Sequence, residues 1–152
     1  MKKLVIFLLI LVSVNSFAQN ETKRVKHYNL ENKVAIQGYD PVGYFNQGKA
    51  IKGKKELSVM YQGVIYQFSS VENKNAFLKN PSKYEPQYGG WCAYAMGKAN
   101  KKVEINPETF KVVDGKLYLF YNAYFNNTLK SWDKEESNLK MKADNNWKNI
   151  YK

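Results

Sequence analysis

The run Phe110-Lys-Val-Val-Asp-Gly-Lys-Leu-Tyr-Leu-Phe-Tyr121 constrains the fold more than any other stretch of the chain. Two segments rich in β-branched and aromatic residues flank Asp114-Gly115, and both turn residues accept the positive φ that a two-residue hairpin turn demands. One antiparallel hairpin is therefore built in. A second is expected where Leu57-Ser-Val-Met-Tyr61 and Val64-Ile-Tyr-Gln-Phe68 flank Gln62-Gly63.

Helices fill the intervening stretches. Ser69-Ser-Val-Glu72 has the spacing of a capping box with Ser69 as N-cap. It opens a helix running to Asn80, with Val71, Ala76, Phe77 and Leu78 inward and Pro81 as the stop. A short helix over Trp91 to Lys98, ended near Gly97, is expected next. Beyond the Asp-Gly hairpin, Phe125, Leu129 and Trp132 recur at i, i+4, i+7, and Leu139, Ala143, Trp147 and Ile150 at i, i+4, i+8, i+11. Both series predict core stripes of helices. No internal repeat or interdomain linker interrupts the pattern. The fold class is α+β, a single small domain with two β-hairpins and several short helices.

The N-terminus carries a different message. Met1-Lys2-Lys3, an apolar run from Leu4 to Val14 and Ser16-Phe17-Ala18 before Gln19 predict a secretory signal peptide over residues 1–18. The apolar run is far shorter than the roughly 20 residues of a spanning helix, so the cleaved chain is expected in the periplasm or secreted, with no transmembrane segment. Residues 19–33 are polar, lack a period and are expected to form a flexible lead-in.

The formal net charge is +11, which raises nucleic acid as a partner. Arg24 is the only arginine, however, and arginine supplies bidentate phosphate and base recognition. The lysines are scattered among asparagines rather than gathered in a stripe. No nucleic-acid partner is expected. The acids form no catalytic pair either: Asp114 belongs to a turn, Glu72 to a cap, and Asp133, Glu135 and Glu136 to a solvated helix junction.

Three motifs arrive in order: Gly38-Tyr-Asp-Pro-Val-Gly-Tyr-Phe45, Tyr66-Gln-Phe-Ser-Ser-Val-Glu-Asn-Lys-Asn-Ala-Phe-Leu-Lys-Asn-Pro-Ser-Lys-Tyr84, and Gln87-Tyr-Gly-Gly-Trp-Cys-Ala-Tyr-Ala95. Together they resemble the YHS domain family, in the form found in small exported bacterial proteins. The resemblance makes residues 34–152 a YHS-like domain with a TRASH/YHS-like fold, C-terminal helices included. It also implies metal binding, which in other members uses cysteines in the patterns Asp-Pro-Val-Cys and Phe-Cys-Ser-x-x-Cys. Here the matching positions hold Gly43, Ser69 and Asn73, so that metal site does not carry over.

The remaining candidate chemistry centres on Cys92, the only cysteine. A lone thiol forms no internal disulfide. Cys92 and Met96, at i, i+4 on a helix, put two sulfurs on one face, a soft donor pair suited to a copper ion. His27, the only histidine, is the third candidate ligand. A thiol activated at a helix N-terminus gives a thiol-dependent redox protein as the alternative, without a second cysteine or a neighbouring base. A buried, inert Cys92 leaves a structural or interaction module. The aromatic and glycine residues Tyr39, Asp40, Tyr44, Tyr88, Gly89, Gly90, Trp91 and Tyr94 are the candidates for lining a small-ligand pocket. The expected function is a non-enzymatic metal-handling or ligand-binding module of the bacterial envelope, with a metal ion or small ligand as partner.

Overall fold

A computed structural model describes residues 19–152. The expected signal peptide lies outside the described residues. Both expected hairpins form. Residues 19–27 are helical (α1), and they lead into β1 (Leu30–Glu31) and β2 (Val34–Ala35). After a short helix α2 (Gly43–Asn46), β3 (Lys54–Tyr61) and β4 (Val64–Phe68) pair antiparallel, with Tyr61 opposite Val64 across Gln62-Gly63. β2 adds parallel to β4, which gives one sheet in the order β1-β2-β4-β3. A second sheet holds β5 (Asn106–Val113) and β6 (Lys116–Phe120), joined through Asp114 and Gly115 at φ 52 and 68.

β6 is the wall between two apolar layers. Its successive side chains point to opposite faces. Leu117 and Leu119 pack with Val42, Tyr44, Val64, Tyr66, Phe68 and Phe77, and Tyr118 and Phe120 pack with Met96, Trp132, Leu139 and Ala143. These four residues of the strand are fully buried, and only Lys116 at its start is exposed. Burial on both faces explains why this run is continuously apolar where a half-exposed strand would alternate.

The helices close both layers. α3 (Val71–Lys79) and α4 (Pro81–Tyr84) cover the first, and α5 (Ala93–Ala99), α6 (Thr128–Trp132) and α7 (Glu136–Ile150) cover the second. The α7 stripe is as expected, with Leu139 and Ala143 buried. α5 ends close to Gly97, as expected. It runs to Ala99 and is capped by Asn100 in the left-handed region, while Gly97 lies inside the helix. A Cβ there would stand 2.5 Å from the Leu139 carbonyl oxygen, so the missing side chain is what lets α5 and α7 touch backbone to backbone.

Four sequence expectations are corrected. The N-terminal lead-in is ordered: Arg24 is buried and ion-paired with Glu85, and its Nη1 donates to the Tyr28 hydroxyl at 2.9 Å. The N-cap of α3 is Ser70, whose hydroxyl accepts from Asn73 N at 3.1 Å, because Ser69 is drawn away to Asp40. On α3 only Phe77 of the four expected apolar residues is fully buried, and Val71 and Leu78 are exposed. Phe125 belongs to no helix: residues 122–127 form a third hairpin, β7 (Asn122–Ala123) and β8 (Asn126–Asn127), with Tyr124 and Phe125 as its turn.

Candidate functional site

Cys92 is the N-cap residue of α5 and is fully buried. Its amide donates to Val103 O at 3.0 Å and its carbonyl accepts from Met96 N at 3.0 Å, which fixes the start of the helix against the chain that leaves it. The sulfur accepts from Tyr121 N at 3.3 Å and lies 3.4 Å from Thr128 Oγ1. The Thr128 hydroxyl donates to Tyr121 O at 2.9 Å. A hydroxyl has one proton, so the hydrogen between sulfur and oxygen belongs to Cys92. The thiol thus donates to Thr128 and accepts from Tyr121, and its hydrogen-bonding capacity is satisfied within the fold.

Above this thiol is a cleft of about 310 Å³, lined by Tyr94, Ala95, Ala99, Val103 and Tyr121 on its apolar side and by Lys98, Lys101, Asn126 and Thr128 on its polar side. Cys92 is its floor. Lys98 sits 3.7 Å from Glu135, and no ion pair among the described residues engages Lys101. A space of this size with apolar walls, few polar groups and a cationic rim suits a small ligand with an apolar body and an anionic end.

The three expected sulfur and nitrogen ligands do not converge. Met96 packs in the layer of Tyr118, Phe120 and Trp132, whereas Cys92 packs in the layer of Leu117 and Leu119, on the other side of β6. The i, i+4 spacing fails because Cys92 is a cap rather than a member of the helical face. His27 ends α1 with its ring 6.1 Å from that of Tyr151 and its Nδ1 3.3 Å from Lys102 Nζ. Desolvation, followed by the charges of Lys102, Lys26 and Lys23, lowers the His27 pKa; those charges also oppose a metal cation. Among the described residues, no three or more His, Cys, Asp or Glu side chains gather as a metal site.

The ligand-pocket candidates fall in three places. Tyr94 alone joins the Cys92 cleft. Tyr88 and Gly89 line a second cleft of about 260 Å³ with Tyr28, Glu85, Asp144 and Trp147. Its two carboxylates are already engaged, Glu85 by Arg24 and the Tyr66 hydroxyl and Asp144 by the Tyr88 hydroxyl at 2.9 Å, while Lys148 adds a cation to its lining. Burial, then Asp144, pushes the Tyr88 hydroxyl well above the phenol range. Gly89, at φ 61, lets the chain pass within van der Waals reach of the Tyr28 and Trp147 rings, where a Cβ would come within 2.8 Å of both. Gly90 is buried, and Trp91 uses its indole N–H on the His27 carbonyl at 2.8 Å.

Tyr39, Asp40 and Tyr44 mark the third place, which is closed. Tyr44 is buried with its hydroxyl on Pro107 O at 3.0 Å, and Tyr39 carries the Lys52 ammonium 4.6 Å above its ring. Asp40 is fully buried. Its Oδ1 accepts from Val42 N at 2.9 Å and Gly43 N at 3.4 Å, and its Oδ2 from Ser69 N at 2.8 Å, Ser69 Oγ at 2.6 Å and Asn73 Nδ2 at 2.7 Å. Gly43, Ser69 and Asn73, the positions where cysteine versions of the family motif hold thiols, therefore meet around one carboxylate. Each donor points inward at Asp40, and the set has no soft donor. These residues do not fit a soft metal.

Nothing local in the sequence marks Tyr121, Thr128, Val103 and Lys101 as site residues. Only the third hairpin brings 121–128 over Cys92, and its turn lacks the Asn-Gly or Asp-Gly signal that would reveal it. A family profile for the YHS domain matches residues 42–88. That match includes Gly43, Ser69 and Asn73 but ends before Cys92. Comparison with curated proteins and with solved structures gives no match.

Proposed function

We propose that this chain is an exported, non-enzymatic ligand-binding module of the bacterial envelope, and that its site is the cleft over Cys92. The observation that carries the proposal is the cleft itself: apolar walls, a satisfied thiol as floor, and Lys98 and Lys101 at the rim. The ligand class is a small molecule with an apolar or aromatic body and an anionic group. Cys92 shapes the floor and needs no reactivity for this task. Anilinonaphthalene sulfonate matches these features and serves as the probe. It should bind saturably to the wild-type protein, lose affinity in Lys101→Glu, and lose its site in Val103→Trp, whose ring occupies the cleft.

The YHS domain is often linked to metal handling, copper included, and that link supports a second function in which Cys92 is one soft donor to a copper ion. Anaerobic Cu(I) titration separates the two. Stoichiometric uptake that disappears in Cys92→Ala supports copper binding through the thiol. Uptake in wild type no greater than in Cys92→Ala, together with saturable probe binding, supports the ligand cleft.

A further inference from the structure

The third hairpin ends in a turn that the fold alone does not explain. Tyr124 and Phe125 occupy both central positions at φ 50 and 65, where Asn-Gly or Gly-Gly is the unstrained choice and a bulky residue is an outlier. Neither ring gains anything inside the molecule: Tyr124 is 91% and Phe125 112% exposed. They are the two most exposed large apolar side chains among the described residues.

The base of the hairpin is held firmly. Asn122 Nδ2 donates to Thr109 Oγ1 at 3.0 Å, Thr128 N donates to Tyr121 O at 3.0 Å, and Tyr121 N is tied to the Cys92 sulfur. Rigid roots, a strained turn and two solvated aromatic rings together describe a display device, since strain kept at a surface position points to a function outside the fold. The surroundings indicate what it meets. Asn126 of the same hairpin shares the cleft with Lys98 and Lys101, and exposed Lys130 follows in α6. Lysines beside a Tyr-Phe tip, on a chain of net charge +11, complement an anionic lipid surface, where aromatic rings settle at the headgroup level and ammonium groups meet phosphate.

We infer that Tyr124 and Phe125 dock the protein on anionic phospholipid bilayers, with the lysines around the cleft as the electrostatic partner. This inference does not depend on the ligand cleft being occupied. The test is flotation of the protein, in the form the producing cell delivers, with vesicles of phosphatidylcholine alone or mixed with phosphatidylglycerol. Wild type should float with the anionic vesicles, less so at high salt, and poorly with the neutral ones. Tyr124→Asn/Phe125→Gly should lose partitioning by about tenfold while melting no lower than wild type, because Asn-Gly suits the turn. Equal flotation of the variant overturns the inference, as does absence of wild-type flotation. A wild-type dimer in sedimentation that the variant lacks, without flotation, also overturns it and assigns the rings to a second copy.

Discussion

Asp40→Ala is the perturbation that most directly probes the closed network around the Asp40 carboxylate. The carboxylate accepts five hydrogen bonds, but they are not equally hard to replace. Gly43 N also donates to the Asp40 carbonyl at 3.2 Å, and Asn73 Nδ2 has the Ser69 hydroxyl as a second partner at 3.3 Å. Two backbone donors, Val42 N and Ser69 N, are left without an acceptor. Each stranded buried donor costs about 1–3 kcal/mol, so the expected loss is about 3–5 kcal/mol once partial rearrangement is allowed. Against a total stability of about 5–15 kcal/mol this is a large fraction. Asp40→Asn keeps the shape and strands one donor, so about 2–3 kcal/mol is expected. Ser69→Ala leaves Asp40 with four partners and should lose about 1 kcal/mol. Urea unfolding followed by circular dichroism measures all three, provided the slope of the transition is unchanged. Stability of Asp40→Ala within about 1 kcal/mol of wild type would refute this account of the network.

Three further outcomes are expected. Gly97→Ala gains roughly 1 kcal/mol of helix propensity, but its Cβ would meet the Leu139 backbone at 2.5 Å; net destabilisation is expected, and an unchanged unfolding midpoint would mean α5 and α7 are not in backbone contact. Burial above all raises the hydroxyls of Tyr28, Tyr44, Tyr66 and Tyr88 above the usual phenol value of about 10 in the fold. They stay protonated in the folded chain while the unfolded chain ionises, so stability is intact below about pH 10 and declines above it; a melting temperature that stays level as pH rises well beyond 10 would contradict the burial of these rings. Cys92, fully buried and hydrogen-bonded, should react with iodoacetamide about 100-fold more slowly in the folded protein than in urea. Comparable rates would show a reachable thiol and revive a redox role.

The legible parts of the fold were those written in local chemistry. Asp114-Gly115 and Gln62-Gly63 declared their turns, and the Leu139 to Ile150 stripe declared α7, because in each the required φ or period is carried by adjacent residues. What escaped depends on partners distant in sequence. Ser69 has the spacing of an N-cap, but Asp40 takes its hydroxyl and the cap moves to Ser70. Gly97 resembles a helix stop, yet its role is set by Leu139. Phe125, Leu129 and Trp132 matched a helical period by coincidence, and the turn that separates Phe125 from the helix uses residues that disfavour it. Arg24 looked like part of a mobile arm because Glu85, its buried partner, lies far along the chain.

The site was half legible for the same reason. Cys92 stood out as the only cysteine, and Tyr94 followed from its neighbourhood, but the opposite wall comes from Tyr121 and Thr128. Met96 and His27 stand out in the sequence by spacing and rarity. Neither property reports which side of β6 a side chain occupies.

The most direct test of the proposed site is an NMR titration of ¹⁵N-labelled protein with anilinonaphthalene sulfonate. Saturable shifts should converge on the amides of Cys92, Tyr94, Lys101, Val103, Tyr121 and Thr128, and be absent in Val103→Trp. Shifts that do not saturate, or that converge on Glu85, Tyr88 and Asp144 instead, would contradict a ligand site over Cys92.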